Sequence, residues 1–164
     1  MSLKPHYELF DHTADMGIRV LAPTLAELIA PATEGLYAVI GKVVAADARD
    51  VAGEGAPGDR PATAQDGIKG EPATRTFEIV GDDPALLLRD YLGEVLHVFD
   101  VEHRRLTDVR AREFTARRLV VTGECRPIDE TRSVLAREVK AVTYHELAIR
   151  PVAGGYEATY IVDI

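Results

Sequence analysis

The sequence predicts an α+β fold, a two-layer sandwich with two helices packed on one face of a mostly antiparallel or mixed β-sheet. Three observations carry that expectation. Apolar residues follow helical spacing in two stretches, 24–41 and 82–100. Alternating apolar and polar runs fill much of the remainder. The order strand, helix, strand, helix, then several strands sets the helices apart from a long strand-rich second half.

Taken in order, "HYELFDHTADMGIRVLA" reads as two extended segments around a polar turn, with Tyr7 and Leu9 alternating first and Ile18 and Val20 after it. In "TLAELIAPATEGLYAVIG", Thr24 and Glu27 form a capping box, and Leu25, Leu28, Ile29, Ala32, Leu36, Val39 and Ile40 make one apolar stripe. Pro31 conflicts with a helix interior, so a kink near Ala30 or a shifted helix start is expected, with Gly41 as the stop. Residues 45–73 hold five Gly and three Pro in 29 positions and almost no large apolar side chain. Such a stretch buries too little surface to offset its ordering entropy, and reads as a flexible surface insertion within a single domain spanning 1–164.

Regular structure resumes at "TRTFEIVG", a strand with Phe77 and Ile79 on one face. The second helix opens on an Asp cap before Pro84 and buries Leu88, Tyr91, Leu92, Val95, Leu96 and Phe99. Residues 106–126 read as a hairpin turning at 115–117. "REVKAVTYHELAIRPV" alternates Val139, Ala141, Thr143, His145 and Leu147 against Lys140, Val142, Tyr144 and Glu146, as one strand. Gly154-Gly155 reads as the tight turn into the last strand, "YEATYIVDI". No internal repeat is present.

Composition narrows the function. A chain of 164 residues with 46% hydrophobic content builds a core of ordinary domain size. Its net charge of −8, with no basic block, argues against direct binding of duplex nucleic acid and points instead to a cation or a basic protein surface. The single cysteine, Cys125, excludes an internal disulfide and a multi-cysteine zinc site, and reads as a half-buried strand residue. No apolar run approaches the ~20 residues of a membrane span, and "MSLKPHYELF" lacks a signal-peptide core, so a cytoplasmic location is expected. Neither "GxxxxGK[ST]" nor "GxGxxG" occurs.

Three blocks in this order, "HYELFDHTADMGIRV", "EVKAVTYHELAI" and the closing "YIVDI", resemble the archease family, as does "LLLRDYLGEVLHVFD". The resemblance covers nearly the whole chain apart from 45–73. It implies a small non-catalytic activator of RtcB-type RNA ligases, which join a 2′,3′-cyclic phosphate or 3′-phosphate end to a 5′-hydroxyl using manganese and GTP. Archease-like proteins promote guanylylation of the ligase histidine in tRNA splicing and RNA repair. The partner is thus expected to be an RtcB-type ligase, with RNA met only through it and no membrane. Two rival readings are a chaperone-like interaction module and a metal-dependent hydrolase using His12 or His145 as base.

On residue type alone, the polar cluster at 11–15 reads as a solvated turn. The resemblance places a metal ligand at Asp15 and two more at Asp163 and the carboxylate of Ile164. Carboxylate oxygens suit a hard dication, calcium first, with magnesium or manganese as alternatives. His12 and Thr13 are expected to hydrogen-bond the loop that aims Asp15. Zinc ligation by His12 lacks a companion at suitable spacing. Asp11 reads as a peripheral charge. The resemblance associates Lys140 with activation, through contact with the partner or a nucleotide phosphate; a plain surface salt bridge is the alternative.

Overall fold

The computed structural model describes residues 3–46 and 71–164. Strands β1 (His6–His12) and β2 (Asp15–Ala22) form the expected hairpin. Met16, Ile18, Val20 and Ala22 alternate into the core from β2, whereas β1 lies at a sheet edge with Tyr7 and Leu9 exposed. A single 3-10 turn, Ala26–Leu28, leads into α1 (Ile29–Ile40). The capping box is present in altered form. The Glu27 amide donates to the Thr24 hydroxyl at 3.2 Å, and that hydroxyl donates in turn to the Glu27 carboxylate at 2.8 Å. Of the two outcomes expected at Pro31, the helix start shifts. Beginning at Ile29, α1 holds Pro31 in its first turn, where no intrahelical amide bond is lost.

The remaining elements among the described residues are β3 (Gly41–Lys42), β4 (Ala73–Val80), α2 (Pro84–Asp100), β5 (Arg104–Phe114), β6 (Arg118–Pro127), β7 (Val134–Leu135), β8 (Ala141–Val142), β9 (Ala148–Val152) and β10 (Gly155–Asp163). Asp83 caps α2 by accepting from the Ala85 amide at 2.9 Å, with Pro84 next to it as expected. One sheet runs β1-β2-β10-β8, with β9 also on β10; a second runs β4-β6-β5; β3 pairs with β7. All of these pairings are antiparallel. The α+β class stands. Both helices contact strands of both larger sheets, and one apolar core runs through all of them. This explains why α1 is buried beyond its predicted stripe: Thr33 and Tyr37 are also enclosed.

Three tyrosines pin α1 to its surroundings. Tyr160 on β10 donates to the Ala32 carbonyl at 2.6 Å. Tyr91 on α2 lies 2.8 Å from the Thr33 hydroxyl, which donates to the Ile29 carbonyl at 2.7 Å. The Tyr37 hydroxyl accepts from the Leu106 amide at 2.9 Å. Burial raises the pKa of all three, that of Tyr37 to about 12. Cys125 is fully buried, not half-buried, as befits an inner residue of β6.

Two local expectations are corrected. The segment 139–147 is not one strand: Val139 and Val142 are the buried pair, three residues apart, a spacing that breaks the two-residue period. After β8 the chain turns, the Thr143 hydroxyl accepting from the His145 amide at 3.2 Å and Glu146 adopting a φ of 51°. The last hairpin turns at Ala153-Gly154, with Gly154 at φ 82°, because Gly155 already pairs with Val152. The outermost residues of the stretch 45–73 lie in paired backbone. Ala45 bridges Ile128, the Ala46 amide donates to the Pro127 carbonyl at 2.8 Å, and Ala73 pairs with Cys125. Backbone pairing needs no large side chain, so composition concealed these ends. Residues 47–70 lie outside the described residues. Among the described residues, no helix is long and apolar enough to cross a membrane.

Candidate functional site at the strand ends

The site is a product of strand register. In the pairing of β10 with β2, Val162 stands opposite Met16 and every earlier couple follows the same step. One further step sets Asp163 alongside Asp15. In the β1–β2 hairpin Asp15 pairs with His12, and Asp163 pairs with Ala141 of β8. His12, Asp15, Asp163 and Ala141 therefore form one row across the sheet. Directly opposed residues share a face, with Cα atoms about 5 Å apart. That face is the outer one, since Met16, Val162 and Val142 in the adjoining row point into the core. Both aspartates are half-buried.

The end of β10 is held in place. The Lys140 amide donates to the Asp163 carbonyl at 2.8 Å, and the Thr143 amide to the Ile161 carbonyl at 2.9 Å. The Ile164 side chain packs against the core as the next inward-facing residue, which anchors the group that follows it. Lys140 itself is exposed, and among the described residues its ammonium takes part in no ion pair. The plain salt-bridge alternative has no counterpart there. Two steps along the strands, on the same face, the Phe10 ring lies across Gly17; a Cβ on Gly17 would fall within the ring's contact distance, at 2.2 Å from Phe10 Cζ. This position admits only glycine while Phe10 covers the sheet beneath the acids.

His12 and Thr13 do something other than expected. Among the described residues the buried His12 Nδ1 has no hydrogen-bond partner, and Nε2 lies 3.5 Å from Glu146 Oε2. The ring stands edge-on to His145, centroids 5.1 Å apart. His12 thus has companions after all, in His145 and Glu146, which strand alternation had separated onto opposite faces. The turn at 143–146 brings them together, and Arg89 of α2 braces it by donating to the Val142 carbonyl at 3.2 Å and stacking over Tyr144. No glycine or proline in "VKAVTYHEL" signals that turn.

Thr13 is a turn residue with φ 49°. A β-branched side chain in the left-handed region carries roughly 1–2 kcal/mol of strain. Thr13→Gly is accordingly expected to raise stability by about 0.5–1 kcal/mol, the gain being reduced by glycine's larger unfolded-state entropy. Urea denaturation midpoints measure it, and a loss of stability would show that the threonine side chain contributes bonding of its own.

The chemistry available here is that of oxygen donors. Two carboxylates in one row place like charges side by side, an arrangement that a cation between them relieves. Their donor set fits calcium, magnesium or manganese.

Comparison with known proteins bears on the family of the chain. The sequence matches the Archease protein family over residues 7–57 and 61–164. It is 28% identical over 163 residues to protein archease of Methanopyrus kandleri, covering 96% of this chain and 99% of that one. Protein archease of Thermococcus gammatolerans is also 28% identical, over 162 residues, with coverages of 96% and 98%. The solution structure of Methanobacterium thermoautotrophicum protein 1598 has a TM-score of 0.62 at 25% identity, spanning 96% of this chain and 98% of that one. A match that begins in the first strand and reaches the final residue, through two helices and the sheets between, settles the assignment: this chain belongs to the archease family.

Proposed function

We propose that the protein is a non-catalytic activator of an RtcB-type RNA ligase and promotes guanylylation of that ligase through a metal-bearing acidic tip. The observation that supports this most is the register placing Asp163 beside Asp15, which brings the first hairpin and the last strand together. Asp15, Asp163 and the Ile164 carboxylate hold the cation, calcium before magnesium or manganese. Bound there, the ion offers positive charge to a phosphate or an enzyme carboxylate. Lys140, exposed next to this tip, supplies a second positive charge for the ligase or a nucleotide phosphate. RNA is met through the ligase, in the cytoplasm.

The test is ligase guanylylation and RNA joining under multiple-turnover conditions, with and without the purified protein. Stimulation by the native chain, its loss in Asp15→Asn and Asp163→Asn, and a partial loss in Lys140→Ala are expected. A ligase that turns over equally well alone rejects the role. Stimulation undiminished in both aspartate variants rejects the acidic tip as its agent.

A further inference from the structure

Next to the acidic row lies a second donor set of different character. The His12 Nε2 is 3.5 Å from Glu146 Oε2, and the His145 Nε2 is 4.0 Å from Glu146 Oε1. One ligating atom from each of the three residues lies within 4.8 Å of the other two. Among the described residues, this is where three imidazole or carboxylate side chains converge so closely. An independent observation accompanies the convergence. The His12 ring is mostly enclosed, yet its buried Nδ1 has no hydrogen-bond partner among the described residues. A buried polar atom without a partner marks a ring whose bonding demand the protein leaves unmet.

We infer that His12, His145 and Glu146 form a binding site for a borderline transition-metal dication of the zinc type, separate from the carboxylate site. The donor set is two imidazoles and one carboxylate. Imidazole nitrogen favours zinc, copper, nickel or iron over calcium and magnesium, which take oxygen ligands. Three protein ligands leave one tetrahedral position open for water or for a group from a partner.

The geometry needs only a modest closure. Bonds of about 2.0–2.1 Å in a tetrahedron put ligand atoms roughly 3.4 Å apart, so the widest gap in the trio must shrink by up to roughly 1.4 Å. Two of the three side chains are free to make that move. His145 and Glu146 are exposed, on a turn outside the sheet ladder, while His12 is fixed by the ladder at the end of β1. The site thus has one rigid ligand and two adjustable ones. Charge favours occupancy as well, because the Glu146 carboxylate stands beside the two acids of the neighbouring row.

This inference stands apart from the ligase reading and is tested without a ligase. Untagged full-length protein is titrated with Zn2+ against a chromophoric chelator, and with Co2+ while the visible d–d bands are followed. One equivalent of Zn2+ is expected to bind, with Co2+ giving the absorption of a nitrogen- and oxygen-ligated tetrahedral centre. His145→Ala and Glu146→Gln, both at exposed positions, are each expected to weaken Zn2+ binding by at least about tenfold. Asp163→Asn is expected to leave it within a factor of about three. Thermal melts confirm that the two exposed-site variants remain folded. Zn2+ affinity unchanged in His145→Ala and Glu146→Gln overturns the inference. So does affinity lost in Asp163→Asn but kept in His145→Ala, which would put the metal among the carboxylates.

Discussion

Asp163→Asn is expected to be more stable than the native chain in chelator and less stable in calcium. The first half follows from like charges placed opposite each other across β2 and β10. Such a pair, half-exposed, costs up to about 1 kcal/mol, which in a chain of this length is worth about 2–4 °C in Tm. Removing one charge recovers it. The second half follows from mass action. A cation that binds only the folded state at a hundred times its Kd adds about 2.7 kcal/mol, or roughly 5–11 °C, to the native chain. The variant, lacking a ligand, gains little. Asp15→Asn should behave alike, because the register makes the two positions equivalent in kind. The reversal of order is the diagnostic, since general damage to the fold would lower Tm in both conditions. Calorimetric melts in chelator and in a series of calcium, magnesium and manganese concentrations measure it. Equal responses of native and variant chains to every ion would remove the cation from this site.

How far the sequence discloses such a site depends on which interactions build it. The hairpin 6–22 is legible because alternation and a polar turn are local signals, and both helices declare themselves through apolar spacing, with Asp83 and Pro84 marking the start of α2. The neighbourhood of Asp15 and Asp163 is not local. Composition and spacing left the first as a turn residue, and only the resemblance joined it to the far end of the chain. A strand's pattern records which face is buried but not which strand lies beside it. The same limit hides the division of strands among separate sheets. The trio of His12, His145 and Glu146 was hidden more deeply. It depends on a turn held by the Thr143 hydroxyl and by Arg89 from α2, with no glycine to announce it even though Glu146 takes a positive φ. There a tertiary contact decides the local conformation.

The largest pH effect is expected in alkali, and it comes from the same pins that hold α1 between the sheets. Burial keeps the phenols of Tyr37, Tyr91 and Tyr160 protonated in the folded chain well beyond the ordinary tyrosine value of 10.0. An unfolded chain releases those protons near pH 10, so above it the native state binds more protons and stability falls as pH rises. Below pH 10 both states hold them, and the contribution is complete and flat. Each tyrosine supplies a slope of about 1.4 kcal/mol per pH unit, so three together give about 4. Tyr37 ceases to add to the slope at about 12, where it ionises in the folded chain as well. The loss accumulated by then is on the order of 7 kcal/mol, comparable with the entire stability of a typical domain. Cooperative unfolding between pH 11 and 12 is therefore expected, followed by far-ultraviolet circular dichroism, with these three phenols adding tyrosinate absorption only as the chain opens. Tyr160→Phe separates this cause from general alkaline damage. At neutral pH it costs about 1 kcal/mol for the lost bond to the Ala32 carbonyl, yet it removes about a third of the alkaline slope. Complete tyrosinate absorption with secondary structure intact would mean that water reaches these hydroxyls in the folded chain. In that case the helix is not enclosed between two sheets, and the strand carrying Asp163 is not fastened to it through Tyr160.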